Sequence, residues 1–201
     1  MKENNYFYRF IVFILRCLGK ILFRIEVIGL DNIPNSGRII IAANHKSFLD
    51  PIFMMIALKG RSIVPVAKKE LFDIFLLKNI LKKLNVIPID RKNPSISTIK
   101  AIITQIKNEN ILGIFPEGTR SKMDEFLPAK PGVALFALKT KADVIPMSIV
   151  TSYRIFSKVK IIIGERVDLD EYYSRKVDRE EYPQIAQLIM DDIIENYNNA
   201  E

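Results

Sequence analysis

The sequence is poor in residues that bind transition metals or form covalent cross-links. Its 201 residues include one cysteine, Cys17, one histidine, His45, and no tryptophan. A single cysteine excludes an internal disulfide framework, and one cysteine with one histidine excludes every Cys/His zinc pattern. Any chemistry that needs an imidazole must therefore use His45.

Long uncharged hydrophobic runs are also missing. The region from Tyr6 to Ile25 is rich in aromatic and aliphatic residues, but its longest uncharged stretch is residues 10–15. A transmembrane helix needs about 20 such residues. Arginine recurs within the region and no small-residue cleavage site is present, which argues against a signal peptide.

A helical wheel of this N-terminal region places its cations within about 80° of one another, opposite a broad apolar arc. The cations are Arg9, Arg16, Lys20 and Arg24, and the arc contains Phe7, Ile11, Ile14, Leu18, Ile21, Leu22 and Ile25. This pattern is typical of a helix in the plane of a membrane interface, where anionic phospholipids attract the cations. The alternative is that the arc packs on the protein's own domain. Because the positive charge lies among apolar side chains, we do not expect nucleic acid as a partner despite the net charge of +7.

The rest of the chain alternates candidate strands with candidate helices. Glycine, proline and asparagine between Ile28 and Gly37 indicate a linker. We therefore predict a membrane-anchoring helix over residues 1–27 and one domain over residues 28–201. The alternation predicts an α/β fold with a mixed, largely parallel sheet flanked by helices.

Polar clusters follow four of the candidate strands. They occupy residues 44–50, 68–70, 90–91 and 116–121. In an open α/β sheet, ligands bind in the crevice beyond the carboxyl ends of the strands. We therefore expect these clusters to form one site with a histidine base, a carboxylate and several cations.

His45 and Asp50 are a candidate base and orienting carboxylate. A carboxylate that accepts one imidazole N–H leaves the other ring nitrogen free to take a proton. Asp50 before Pro51 is also a typical helix N-cap, and the two roles are compatible. Ser47 lies outside any Gly-x-Ser-x-Gly nucleophile elbow, so we do not expect a covalent seryl intermediate.

The remaining clusters favour an anionic ligand. Arg91 and Arg120 are suited to bidentate contact with phosphate oxygens, with a solvated surface position as the alternative. Glu117 is a candidate to orient a substrate hydroxyl or to pair with an arginine. Gly118 frees the backbone for close approach to a ligand.

Two motifs in the chain closely resemble those of the glycerolipid acyltransferases. They are Asn44-His45-x-Ser47-x-x-Asp50 and Phe115-Pro116-Glu117-Gly118-Thr119-Arg120-Ser121. Within that superfamily the chain is most similar to the 1-acyl-glycerol-3-phosphate acyltransferases, which convert lysophosphatidate to phosphatidate. The resemblance covers roughly residues 28–150.

The resemblance implies direct acyl transfer, with His45 as the general base and Asp50 as its orienting partner. It assigns the phosphate of lysophosphatidate to Lys69, Arg91, Glu117, Gly118, Thr119 and Arg120. The co-substrate would be acyl-CoA or an acyl-acyl carrier protein, with no metal and no bound cofactor. The basic helix, together with the site where acyl donors are made, predicts a peripheral protein on the cytoplasmic face of the membrane.

Three alternatives remain open at this point. The enzyme could acylate another acceptor, such as glycerol 3-phosphate or another lyso-lipid. It could be a thioester hydrolase in which water replaces the acceptor alcohol. It could also be a non-catalytic peripheral membrane protein that binds phospholipid on the same scaffold.

Overall fold

The structure is a computed structural model that describes residues 3–58, 63–91, 93–122 and 125–200. The strands are β1 (Arg24–Ile28), β2 (Ile39–Ala43), β3 (Ile63–Lys68), β4 (Ile87–Ile89), β5 (Ile111–Ile114), β6 (Asp143–Thr151) and β7 (Lys158–Ile163). The helices are α1 (Glu3–Leu22), α2 (Asp50–Ala57), α3 (Phe75–Lys83), α4 (Ile96–Lys107), α5 (Gly132–Thr140), α6 (Asp170–Ser174) and α7 (Tyr182–Asn198).

The strands form one mixed sheet in the order β1-β7-β6-β2-β5-β3-β4. The pairs from β6 through β2, β5 and β3 to β4 are parallel, and β6 and β7 are antiparallel. At the far edge, β1 pairs in parallel with β7. The predicted α/β fold with a largely parallel sheet is therefore confirmed.

Strand β2 lies in the middle of the sheet and is buried on both faces. Ile39, Ile41 and Ala43 contribute to the core beneath α1 and α2. Ile40 and Ala42 contribute to the second core, beneath α4, α5 and α7. Coverage on both faces explains why this strand is continuously apolar. Each buried isoleucine contributes about 1.5–3 kcal/mol, so the end of β2 is a firm base for the residues that follow it.

Helix α2 packs closely on the sheet because β5 carries a glycine at the contact. A Cβ added at Gly113 would lie 2.5 Å from Ile63 Cδ1 and 2.8 Å from Met54 Sδ. Only a residue without a side chain allows this approach. The packing fixes the start of α2, where Asp50 lies.

The predicted boundary after residue 27 is wrong, because it cuts through β1. Helix α1 ends at Leu22, and Arg24 and Glu26 then alternate as exposed residues with the half-buried Ile25 and Val27. This two-residue period is that of a strand half-buried at a sheet edge. Arg24 therefore belongs to the sheet and is not part of a helical stripe; its Nε donates to the Phe156 carbonyl over 3.2 Å.

Helix α1 packs on the domain through one of its faces. Tyr8 and Val12 are buried there. The prediction that Arg16 faces a membrane is wrong: its Nε donates to the Ile56 carbonyl over 3.1 Å, and its guanidinium also binds the Leu58 carbonyl. These carbonyls lie at the end of α2, where the helix dipole makes a cation favourable.

The opposite face of α1 is apolar and exposed. It carries Tyr6, Phe10, Phe13, Ile14, Leu18 and Ile21. Arg9 and Lys20 are exposed as well. The exposed arc is rotated from the predicted one, because Phe7 and Ile11 pack against the core. Within the described residues no helix is both long and apolar enough to cross a membrane, and residues 1 and 2 of the predicted anchor lie outside that range.

Candidate active site

The polar clusters meet at one edge of the sheet, as expected from their position after the strands. Residues 44–50 follow β2 and residues 115–121 follow β5, its direct neighbour. Residues 69 and 90–91 follow β3 and β4, the next strands in order. Because these strands are parallel, their carboxyl ends lie side by side.

Asn44 fixes the end of β2. Its side chain is completely buried, its Nδ2 donates to the Ile149 carbonyl over 3.1 Å, and its Oδ1 accepts from Ile149 N over 2.7 Å. The side-chain amide of Asn44 thus binds the backbone of β6 just after the last backbone pair between β2 and β6. The next residue, His45, starts from a fixed backbone position.

His45 and Asp50 form the predicted pair. The distance from His45 Nδ1 to Asp50 Oδ2 is 3.1 Å, and both side chains are buried. Oδ2 also accepts from the backbone N–H groups of Lys46 and Ser47, over 2.7 and 2.6 Å. The carboxylate therefore faces the turn before it. The N-cap interpretation of Asp50 is wrong, since Leu49 occupies that position without a side-chain cap.

Tyr153 is a further donor to the Asp50 carboxylate, and sequence reasoning missed it. Its hydroxyl donates to Asp50 Oδ1 over 2.7 Å. Burial, followed by the nearby charge of Asp50, raises the pKa of Tyr153, so the hydroxyl keeps its proton at neutral pH. With both oxygens bonded, the cost of burying the Asp50 carboxylate is offset.

The imidazole ring has a defined orientation and a defined free nitrogen. Phe115 stacks on it with centroids 4.2 Å apart and an angle of 22° between the planes. A proton on Nδ1 satisfies the Asp50 carboxylate, which leaves Nε2 unprotonated in the neutral ring. His45 is buried but not completely, with 7% of its surface exposed.

Glu117 does not occupy the predicted phosphate site. It is completely buried; Oε1 accepts from His45 N over 2.7 Å and Oε2 accepts from Leu127 N over 3.0 Å. Its turn lies beside the His45 turn, where buried backbone N–H groups need acceptors. Glu117 is therefore a positioning residue for His45. Its negative charge would also repel a phosphate.

Two arginines lie at the exposed rim of the same turn. Arg91 Nη1 donates to the Gly118 carbonyl over 2.6 Å, and the positive φ of Gly118, +70°, gives that turn its shape. Partial burial lowers the pKa of Arg91; the charge of Glu70 opposes this effect and the charge of Arg120 adds to it. Arg120 is exposed, with its Cζ 3.5 Å from the centre of the Phe48 ring. Two like charges at this turn favour an anion between them.

Lys69 and Thr119 lie further out. Lys69 Nζ forms an ion pair with Asp90 Oδ2 at 2.5 Å, and this contact raises the pKa of Lys69. It joins the ends of β3 and β4 next to Arg91. Thr119 is exposed between Gly118 and Arg120. Among the described residues, no group of three or more histidine, cysteine, aspartate or glutamate side chains is arranged to hold a metal ion.

Comparison with known proteins gives the family. The family model described as Acyltransferase matches residues 24–150, well over half of the chain. The chain belongs to the acyltransferase family. The family resemblance seen in the motifs is thus confirmed.

Several relatives of this acyltransferase are named 1-acyl-sn-glycerol-3-phosphate acyltransferase. The chain is 33% identical over 163 residues to the protein of that name from Bacillus subtilis (strain 168), and the match covers 79% of this chain and 81% of the relative. It is 34% identical over 140 residues to the Cocos nucifera protein of that name, covering 68% of this chain and 45% of the relative. The human protein with the suffix alpha is 32% identical over 136 residues, covering 66% and 47%. The chain thus spans most of the bacterial relative but about half the length of the plant and human relatives.

A solved structure shares the fold of this acyltransferase. The crystal structure of the 1-acyl-sn-glycerophosphate (LPA) acyltransferase PlsC from Thermotoga maritima matches with a TM-score of 0.72 and 23% sequence identity. The match covers 100% of this chain and 84% of that chain.

The geometry of the acyltransferase site divides its residues by role. Asn44, Glu117 and Tyr153 fix the His45–Asp50 pair by hydrogen bonds. The two arginines lie outside this network, at the exposed rim of the turn after β5. Asn44 and Glu117 belong to the recognised motifs, but only the structure reveals their contacts. No local pattern marks Tyr153, which lies 103 residues from Asp50.

Proposed function

We propose that this acyltransferase moves a fatty acyl group from a thioester to the sn-2 hydroxyl of 1-acyl-glycerol 3-phosphate, giving phosphatidate. One observation carries the proposal. The buried His45–Asp50 pair, 3.1 Å between Nδ1 and Oδ2, lies next to the turn after β5, which contains Arg120 and whose Gly118 carbonyl accepts a hydrogen bond from Arg91. A base beside an anion site fits an acceptor with a hydroxyl near a phosphate, and the names of the relatives agree.

The reaction needs one proton carrier. His45 Nε2 takes the proton of the acceptor hydroxyl as its oxygen attacks the thioester carbonyl. The C–S bond breaks, and the imidazolium returns the proton to the departing thiolate. Asp50 stabilises the imidazolium, and such a base contributes about 10²–10⁴-fold in rate. Ser47 takes no covalent part in this mechanism, because it lies outside any Gly-x-Ser-x-Gly nucleophile elbow; its Oγ accepts from Leu49 N over 3.2 Å.

The rim of the site binds the acceptor's phosphate. Arg91 and Arg120 offer planar guanidinium groups suited to two phosphate oxygens each. Thr119 and the backbone around Gly118 complete this contact, and Lys69 adds positive charge from one strand further away. Glu117 is not among the phosphate ligands in this proposal, because backbone N–H groups bind both of its oxygens.

The acyl donor in this proposal is acyl-CoA or an acyl-acyl carrier protein, and no metal or bound cofactor has a role. The net charge of +7 suits an acidic carrier protein and anionic phospholipids equally well. The exposed apolar face of α1, with Arg9 and Lys20 beside it, favours peripheral association with a bilayer on the cytoplasmic face.

The test is acyl transfer to lysophosphatidate in mixed micelles. Oleoyl-CoA and an acyl-acyl carrier protein thioester serve as donors, glycerol 3-phosphate as the competing acceptor, and His45→Ala and His45→Gln as variants. We expect phosphatidate from the wild type and its loss in both variants. Acylation of glycerol 3-phosphate instead would assign another acceptor, and thioester cleavage without any acceptor would indicate a hydrolase. Undiminished transfer by both variants would contradict the mechanism.

A further inference from the structure

The turn between β6 and β7 presents two adjacent large apolar side chains to solvent. Ile155 is 63% exposed and Phe156 is 66% exposed. Arg154 and Lys158 flank them in the sequence. Single apolar residues are common on protein surfaces, but a pair at the tip of a turn with cations on both sides is typical of contact with a partner.

Hydrogen bonds join this turn to the end of α1. Phe156 N donates to the Leu22 carbonyl over 2.6 Å, and Arg24 N donates to the Ser157 carbonyl over 3.0 Å. Arg24 Nε also donates to the Phe156 carbonyl. The turn is therefore continuous with the exposed apolar face of α1, where Ile21 is 67% exposed.

The backbone conformation at Phe156 indicates that its exposed aromatic side chain has a function. Phe156 has a φ of +67°, in the left-handed region that bulky residues rarely adopt. Asparagine or glycine would adopt this conformation with less strain. An exposed phenylalanine in this conformation costs stability without contributing to the core, which points to a role at the surface.

The charge around the turn favours an anionic surface. An open cleft of about 520 Å³ beside it is lined by Lys20, Arg24 and Lys158, with Glu26 as the carboxylate in the lining. Lys158 Nζ pairs with Glu26 Oε2 at 2.6 Å, and this contact lowers the pKa of Glu26. Three cations and one carboxylate leave the lining with a net charge of +2. Apolar tips beside such a cleft fit lipid tails beside anionic headgroups.

We propose that Ile155 and Phe156 insert into the interface of an anionic bilayer, as a second membrane contact next to α1. The same turn includes Tyr153, whose hydroxyl bonds to Asp50. Insertion of the turn therefore brings the lipid surface towards the catalytic pair. The inference rests on the proposed function only in regarding the acceptor as a lipid, and membrane binding is measured separately from turnover.

The test is binding of the full chain to vesicles. The double variant Ile155→Ser/Phe156→Asn removes both apolar tips, and asparagine tolerates the positive φ at residue 156. Ile96→Ser is the matched control, because Ile96 is 73% exposed but begins α4, whose core lies on the other face of the sheet. On phosphatidylglycerol/phosphatidylcholine vesicles we expect a partition coefficient about 10- to 100-fold lower for the double variant, and no change for the control.

A second measurement separates this inference from the proposed function. With a short-chain lysophosphatidate below its critical micelle concentration, the double variant should match the wild type in kcat/KM. With lysophosphatidate embedded in vesicles, its rate should fall along with its binding. Lower binding in the absence of any turnover by the wild type would support the inference and contradict the proposed function. Equal vesicle binding by the wild type and the double variant would overturn the inference.

Discussion

The two halves of the active site are built in opposite ways. At the centre, Asp50 and Glu117 are completely buried, and the oxygens of both carboxylates accept hydrogen bonds from the protein itself. At the rim, Arg120 and Lys69 are exposed. The guanidinium of Arg120 lies over the Phe48 ring, and the ammonium of Lys69 pairs with the surface carboxylate of Asp90. The centre is complete before any substrate arrives, whereas the rim presents its cations to solvent, where an anion can reach them.

The difference separates chemistry from binding. A base held by buried, fixed partners needs no reorganisation during the reaction, so damage there should lower kcat. Exposed cations attract the substrate through solvent, so their loss should raise KM. Because salt screens this attraction, the effect of losing a cation on KM should be smaller at high salt. The substitutions below test this division, beginning with the largest expected effect.

Asp50→Asn should have the largest effect, at the centre. The amide oxygen can take the place of Oδ2 and accept the same hydrogen bonds, with the amide nitrogen towards the Tyr153 hydroxyl. The side chain then carries no negative charge to stabilise the imidazolium that forms when His45 takes the proton. We expect kcat to fall by about 10²–10⁴-fold, measured as phosphatidate formed at saturating acceptor. Asp31→Asn, at an exposed position, is the matched control and should keep its rate. A wild-type kcat in Asp50→Asn would mean that the pair does not drive the reaction.

Glu117→Gln tests whether this residue belongs to the centre or to the rim. The amide N–H₂ would face a backbone N–H of His45 or Leu127, leaving one buried donor without an acceptor. We expect unfolding in urea to show a loss of about 1–3 kcal/mol, with kcat reduced and KM nearly unchanged. If KM rises while kcat and stability stay constant, Glu117 binds the phosphate after all.

Arg91→Ala and Arg120→Ala should affect the rim. Each removes a cation suited to charge-assisted bonds with phosphate, so KM for the acceptor should rise by about 10- to 100-fold with little change in kcat. The variants should also depend less on salt than the wild type. Arg179→Ala, at an exposed position in the turn before α7, is the control. A fall in kcat alone would remove the distinction between rim and centre.

Tyr153→Phe should have the smallest effect, a loss of roughly 5- to 10-fold at neutral pH. Without the hydroxyl donor, Asp50 Oδ1 loses its 2.7 Å hydrogen bond, so the carboxylate holds the imidazole less firmly. The loss should appear in kcat at saturating acceptor, with KM nearly unchanged. Tyr153 itself does not titrate near neutrality, because burial and Asp50 raise its pKa. A kcat equal to that of the wild type would show that the hydroxyl is only a packing contact.

Sequence reasoning succeeded where the contact is local or follows from strand order. His45 and Asp50 lie five residues apart in one turn, so their pairing is readable from the chain. The alternation of strands and helices then brought the clusters to one edge of the sheet. Glu117 was misassigned because its partner, His45 N, is set by the adjacency of β2 and β5, which no local pattern displays.

The N-terminal errors have a different cause. A helical wheel continued past Phe23 puts Arg24 on a stripe, although the alternation of residues 24–27 already indicates a strand. Arg16 was placed on a membrane face because a wheel cannot show that the end of α2 lies beside it, with carbonyls that need a donor. The first error extends the helix beyond its end, and the second treats the helix as isolated although its neighbours determine which of its faces is buried.

One measurement tests the central claim most directly, because the chain has a single histidine. Nitrogen-15 NMR of protein labelled only in histidine reports the protonation of both ring nitrogens of His45. At a pH where the ring is neutral, we predict a proton on Nδ1, held by Asp50, and an unprotonated Nε2. A neutral ring with its proton on Nε2 would contradict the account, because the nitrogen assigned to the substrate could then not act as the base.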